Sequence, residues 1–186
     1  MSEVKPIRLG IMGCAGTGKS SLAEAISKAL NVPFLKSRDI TQTVLTRGGY
    51  DYSSGIQIER FLANTVYQNE ILRKTMEQQS VPQFVTDRTV VDLAAYALCE
   101  MREDSDTVKN IFETCKKRVV MYSHLLLCPW QDNLTDNGRR TLNPWYQLLI
   151  HTIERGILDD WKCGYHVMEA VNEDRAQEAL TFLRKA

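Results

Sequence analysis

The sequence predicts an α/β protein: a three-layer domain whose five-stranded parallel sheet is covered by helices on both faces. Two observations carry this. Five short runs are apolar throughout, as strands buried on both faces are. They alternate with segments of helical period, the pattern of strand–helix–strand units. The length of 186 residues suits one domain over 1–186, and no linker, repeat or low-complexity stretch divides it.

The elements follow in order. Ile7 to Met12 is the first strand, interrupted only by Arg8 and ending in glycines. From Lys19 the period turns helical, with Leu22, Ala25, Ile26, Ala29 and Leu30 on one face until Asn31 stops it. Pro33 to Lys36 is a short second strand, and Arg47 to Gly55 is rich in turn residues. A long helix is expected from about Ile56 to Gln79, then a third strand at Gln83–Thr86. Thr89 caps the next helix, and Asp92 completes a capping-box pair with it. That helix runs to about Met101 and is apolar nearly all round, so burial is expected. Another helix covers about Asp106 to Arg118, and His124–Cys128 is the fourth strand. The polar stretch 131–143 is expected to form a lid. Pro144 opens a helix to about Trp161, Tyr165–Glu169 is the fifth strand, and a last helix starts near Glu173.

Composition excludes several classes. The chain is 44% apolar and 25% charged, the make-up of a globular protein with a real core. Lys plus Arg number 23 and Asp plus Glu number 23, so net charge is zero. Coating of nucleic acid or anionic membrane by bulk attraction is therefore not expected. No apolar run reaches the roughly 20 residues of a membrane helix. Cys14, Cys99, Cys115, Cys128 and Cys163 lie scattered without a CxxC, and three scattered histidines add no ligand cluster. Reduced thiols and a cytoplasmic location follow as expectations.

Directly after the first strand stands Gly13-Cys14-Ala15-Gly16-Thr17-Gly18-Lys19-Ser20, a GxxxxGK[ST] phosphate loop between strand and helix. Its glycines let successive N–H groups turn inward on a phosphate, and the helix N-terminus adds positive potential. ATP binding is expected along Gly13–Ser21: Gly13, Cys14, Ala15, Gly16, Thr17, Gly18, Lys19, Ser20 and Ser21. Lys19 reaches the β- and γ-phosphates, and Ser20 binds Mg²⁺.

The third strand ends Thr86-Asp87-Arg88. GTPase switches carry Asn-Lys-x-Asp, which this chain lacks, and hydrolytic ATPases usually end this strand in Asp-Glu. Here arginine replaces the water-activating acid, which suits transfer of a phosphoryl group with water excluded.

Asp87-Arg88, with Asp92, Ala95 and Tyr96, resembles the DR motif of P-loop nucleoside and nucleotide kinases, thymidylate kinases among them. The whole layout resembles an AAA-like ATP-binding family that includes ribosylnicotinamide kinase domains and many phage proteins. Gln68, the Asp136-Asn137-Gly138-Arg139-Arg140 block and the ending from Tyr165 with Arg175 match that pattern. The resemblance implies the P-loop NTPase fold and a Mg²⁺-dependent kinase acting on a nucleoside- or nucleotide-like small molecule. A homodimer is the assembly considered. Where the family carries an acid shortly before an arginine, this chain has Lys36-Ser37-Arg38-Asp39, so Asp39 is the substitute.

The catalytic set expected is Lys19, Asp87, Arg88, Arg139, Arg140 and Asp39, with Ser20 and Asp87 for the metal. Asp87 either organises Mg²⁺ or serves as base to the acceptor. Asp39 either meets the acceptor or caps a helix. Asp92 is balanced between a cap and a site residue. Tyr50, Tyr52 and Phe61 either stack on a ring or pack, and Trp130, Trp145 and Trp161 are expected to be structural. Two other readings stay open: a kinase of 5-hydroxymethyluracil in DNA, and a regulatory ATP-binding module that transfers nothing.

Overall fold

The computed structural model describes residues 6–50, 63–101, 104–132, 143–169 and 174–185. In chain order its elements are β1 (Arg8–Met12), α1 (Lys19–Leu30), β2 (Phe34–Leu35), α2 (Ser37–Arg47) and α3 (Thr65–Gln78). They continue with β3 (Phe84–Thr86), α4 (Val90–Glu100), α5 (Ser105–Arg118), a 3₁₀ turn at Val119–Met121 and β4 (His124–Leu127). α6 (Pro144–Asp160), β5 (His166–Val167) and α7 (Arg175–Lys185) complete the described chain. All strand pairs are parallel and the order is β2-β3-β1-β4-β5. β1 lies in the middle, so the loop that leaves it opens at the carboxyl edge of the sheet, where open parallel sheets bind ligands.

Strand parity builds the two faces. Leu9 and Ile11 of β1, Val85 and Leu126 pack with Leu22, Ala23 and Ile26 of α1 and Ala179 of α7. Met12, Phe84, Leu125 and Leu127 point the other way, into the larger core that α2 to α6 cover. Helix α4 is the centre of that layer: all but three of its eleven residues are buried, as its nearly continuous apolar sequence requires.

Three expectations need correction. The helix start considered at Asp39 is a full helix, α2, but Asp39 does not cap it. The cap position is Lys36, without a side-chain bond, and Asp39 sits exposed in the first turn. The helix expected from 56 to 79 does not run unbroken. Asn64 is extended and accepts from the Val66 and Tyr67 amides, which starts α3 at Thr65; residues 51–62 lie outside the described residues. The apolar period continues through Asn64, but the period does not display the stop that an Asn side chain can place there by accepting the next amides itself. Trp145 is not packed but 70% exposed, in contrast to Trp161, which meets Phe112 edge-on. Tyr50 is an edge-on partner of Tyr67, while Tyr52, Phe61, Arg139, Arg140 and most of the segment expected as a lid lie outside the described residues.

Candidate active site

The loop from Gly13 to Gly18 is built from glycine backbone. Gly13 has φ +133°, and a Cβ there would stand 2.7 Å from the Cys128 carbonyl oxygen. Gly18, the N-cap of α1, has φ +79°, and a Cβ there would meet Arg175 Nη1 at 2.7 Å. Both positions thus require glycine twice, for conformation and for space. Arg175, 8% exposed at the start of α7, donates to the Thr17 carbonyl at 2.6 Å and holds the loop from the α1 side. Thr17 itself donates to the Cys14 carbonyl at 3.0 Å, which tightens the turn. Lys19 donates its ammonium to the Gly13 carbonyl and, at 2.7 Å, to that of Cys14. Cys14 is fully buried, and burial pushes its thiol up to about 11, so it packs and is a poor nucleophile.

Asp87 leaves β3 and turns to the loop. Its Oδ2 accepts from the Ser20 hydroxyl at 2.5 Å and its Oδ1 from the Ser37 amide at 2.9 Å. One carboxylate therefore joins the first turns of two helices, α1 behind the phosphate loop and α2. Hydroxyl and carboxylate oxygens are hard donors of the kind Mg²⁺ takes beside water and phosphate. The donor set at Ser20 and Asp87 fits that ion.

A buried network fixes the backbone next to Asp87. Tyr122 donates to Gln79 Oε1 at 2.6 Å, Gln79 Nε2 donates to the Arg88 carbonyl at 3.2 Å, and the Val90 amide donates to Tyr122 at 3.1 Å. Arg88 lies over the Tyr96 ring at 5.1 Å, a cation–π contact. Asp92 is a capping residue and a neighbour of the site at once. Its Oδ2 takes the Thr89 amide and hydroxyl at 2.7 Å each, while Lys19 and Arg88 act on it electrostatically.

The structure thus brings Lys19, Ser20, Asp87 and Arg88 together. Ser37 joins α2 to this group, and Asp39 follows one half-turn later on an exposed face. Asp39, Gln42, Thr43, Thr46 and Arg47 line a groove of about 650 Å³ along α2. Gln68 is half-buried on α3.

Two residues of α6 escaped the sequence reading. Gln147, 1% exposed, accepts from the Ala15 amide of the phosphate loop at 2.9 Å. Glu154, fully buried, lies against Asp92. A signal existed: Gln147, Ile150, Glu154 and Ile157 share one buried stripe, and two polar residues on an otherwise apolar stripe point at partners.

The profile of an AAA domain family matches residues 8–176. The chain belongs to this AAA domain family. No curated protein is matched by the sequence. Among solved structures, NadR in complex with NR is similar at TM-score 0.72 and 13% identity, over 97% of this chain and 51% of that one. The chain thus spans about half the length of NadR. Deoxyadenosine kinase from M. mycoides with bound dCTP is similar at TM-score 0.70 and 15% identity, over 97% of this chain and 100% of that one. Thymidylate kinase from Ehrlichia chaffeensis follows at 0.60 and 12%, over 97% and 100%. At these identities the likeness is one of fold, and the fold is that of P-loop nucleoside and nucleotide kinases. No helix among the described residues is long and apolar enough to cross a membrane.

Proposed function

We propose that this AAA domain protein is an ATP- and Mg²⁺-dependent kinase that moves the γ-phosphoryl group to a nucleoside- or nucleotide-like acceptor. The observation that carries the reading is the junction of Ser20 and Asp87 at 2.5 Å, with an arginine and not an acid as the next residue. The loop amides and Lys19 hold the phosphates. Ser20 and Asp87 hold Mg²⁺, which when bound neutralises charge on the β- and γ-oxygens. Arg88 steadies charge on the group in transfer, joined by Arg139 and Arg140 from the segment between β4 and α6. Both Asp87 oxygens are engaged, so the acceptor-side carboxylate in this reading is Asp39, at the head of the α2 groove. The accessible lining of that groove is mainly apolar, with hydrogen-bonding groups from Gln42, Thr43, Thr46 and Arg47, which suits an acceptor with a ring face and a hydrogen-bonding edge.

The test is incubation with γ-labelled ATP and a panel of nucleosides, nucleotides and hydroxymethyluracil-containing DNA. The expected result is a labelled small-molecule product. Label on the DNA alone, falling steeply with salt, would move the acceptor to the polymer. Nucleotide binding with no product and no ADP would make the protein a regulatory module.

A further inference from the structure

Glu154 is fully buried in α6, and neither of its carboxyl oxygens completes a hydrogen bond among the described residues. It stands against Asp92, itself 1% exposed, whose Oδ2 is already taken by Thr89. Lys19 and Arg88 are the cations that act on both carboxyls. Two buried carboxylates side by side repel, and a fully buried carboxylate without donors is costly. One proton shared between the two removes both penalties, as in close carboxyl pairs elsewhere. Asp92 keeps the charge, because it has two donors from Thr89, and Glu154 keeps the proton.

We propose that Glu154 is a positioning residue for the phosphate site: it stays protonated, donates to Asp92 from α6, and leaves a single anion behind the loop to orient Lys19 and Arg88. The charge count gives the reason. Asp87 is committed to Ser20, Ser37 and the metal, so behind the loop two cations, Lys19 and Arg88, act on one anion, Asp92; an ionised Glu154 would add a second anion there and draw both cations away from a polyphosphate. Gln147, two turns earlier on the same stripe, touches the loop amide of Ala15, so α6 contacts the phosphate site at two points. The proposal concerns nucleotide binding and rests on the phosphate-site part of the proposed function.

Burial pushes the Glu154 carboxyl well up, and its neighbour Asp92 adds to this. The other titratable groups facing it are Cys14, Cys128 and Tyr96, all raised by burial and uncharged at neutral pH. His151, one turn back on α6, is lowered by burial and Arg155 and is present in every variant compared below.

A carboxyl raised in the folded state binds a proton that the unfolded chain has released. Stability from this group is therefore lost as pH rises above the ordinary carboxyl range, until the folded group ionises. Glu154→Gln keeps the donor and removes the titration. Melting temperatures of both proteins, without nucleotide, are compared from pH 5.5 to 8.5. The advantage of Glu154→Gln over the parent is expected to grow with pH, by at most about 4 °C per pH unit, and to level off where the folded carboxyl ionises. A constant difference across that range overturns the proposal. The second readout is ADP–Mg²⁺ affinity at neutral pH. Glu154→Leu is expected to weaken it about tenfold, through loss of the donor to a charged group, and Glu154→Gln to recover most of it. A folded Glu154→Gln that binds ADP no better than Glu154→Leu overturns the positioning role. Should Glu154→Leu fail to fold, the pH series decides. Neither readout needs phosphoryl transfer, and a parent protein that fails to bind ADP would instead count against the nucleotide site itself.

Discussion

Gly18→Ala is the substitution whose cost can be worked most fully from the structure. The residue has φ +79°, where a Cβ costs about 1 kcal/mol. The new methyl would also stand 2.7 Å from Arg175 Nη1, which donates to the Thr17 carbonyl at 2.6 Å. The guanidinium end of Arg175 must shift, and complete loss of a charge-assisted bond in a buried setting would add up to about 2 kcal/mol. The cost is therefore about 1 to 3 kcal/mol, which for a chain of this size lowers the melting temperature by about 3 to 9 °C. Gly156→Ala is the control. Gly156 lies exposed inside α6 with nothing within 4 Å of a built Cβ. Alanine there gains about 1 kcal/mol of helix propensity, so that variant is expected to melt about 3 °C higher. The assay is thermal denaturation followed by far-ultraviolet circular dichroism. A Gly18→Ala protein that melts with the parent would show that neither the left-handed conformation at Gly18 nor the Arg175 contact holds the loop.

Three further outcomes are expected. Thr89→Ala removes the capping box of α4 and should cost about 2 kcal/mol in denaturant unfolding, with most of it restored by Thr89→Ser. Of the five free cysteines only Cys163 is not buried. Brief alkylation of the native protein at pH 8 should therefore add one label by mass spectrometry, and alkylation after unfolding should add five. Gln147→Leu leaves the Ala15 amide without its acceptor; it should weaken ADP binding about tenfold with a smaller loss of stability.

How legible the molecule was in its sequence depended on the range of the interaction. The phosphate loop, the Thr89–Asp92 box and Pro144 at the head of α6 are set by residues within a few positions of one another, and local spacing displays them. The strands were legible because burial on both faces of the central β1, β3 and β4 demands nearly continuous apolar runs, and the short outer strands β2 and β5 follow the same alternation with helices. Helix α2 was legible only as a helix start at Asp39, one of two readings, because its alternation of Arg38, Asp39, Thr41, Gln42 and Thr43 has only Ile40, Val44 and Leu45 to anchor it. The site was less legible where partners are distant in the chain. Nothing local tells that Gln147 reaches Ala15, that Arg175 reaches Thr17, or that Asp87 receives the Ser37 amide. Topology creates those meetings: β1 and β3 are neighbours, and α1, α2, α4 and α6 converge on their carboxyl ends.

The zero net charge takes on a different meaning in this frame. It is a global balance, while Lys19, Arg88 and Arg175 gather at one edge of the sheet with Asp92 as a buried counter-charge. A polyphosphate is attracted locally, and the compensating acids lie elsewhere on the chain.

The central claim is that the Lys19–Ser20–Asp87 cluster transfers a phosphoryl group. It is tested most directly by γ-labelled ATP with the acceptor panel, run side by side for the parent and for Lys19→Ala. A phosphorylated product is expected with the parent and none with Lys19→Ala at an unchanged circular dichroism spectrum. Equal product from both proteins would contradict that claim.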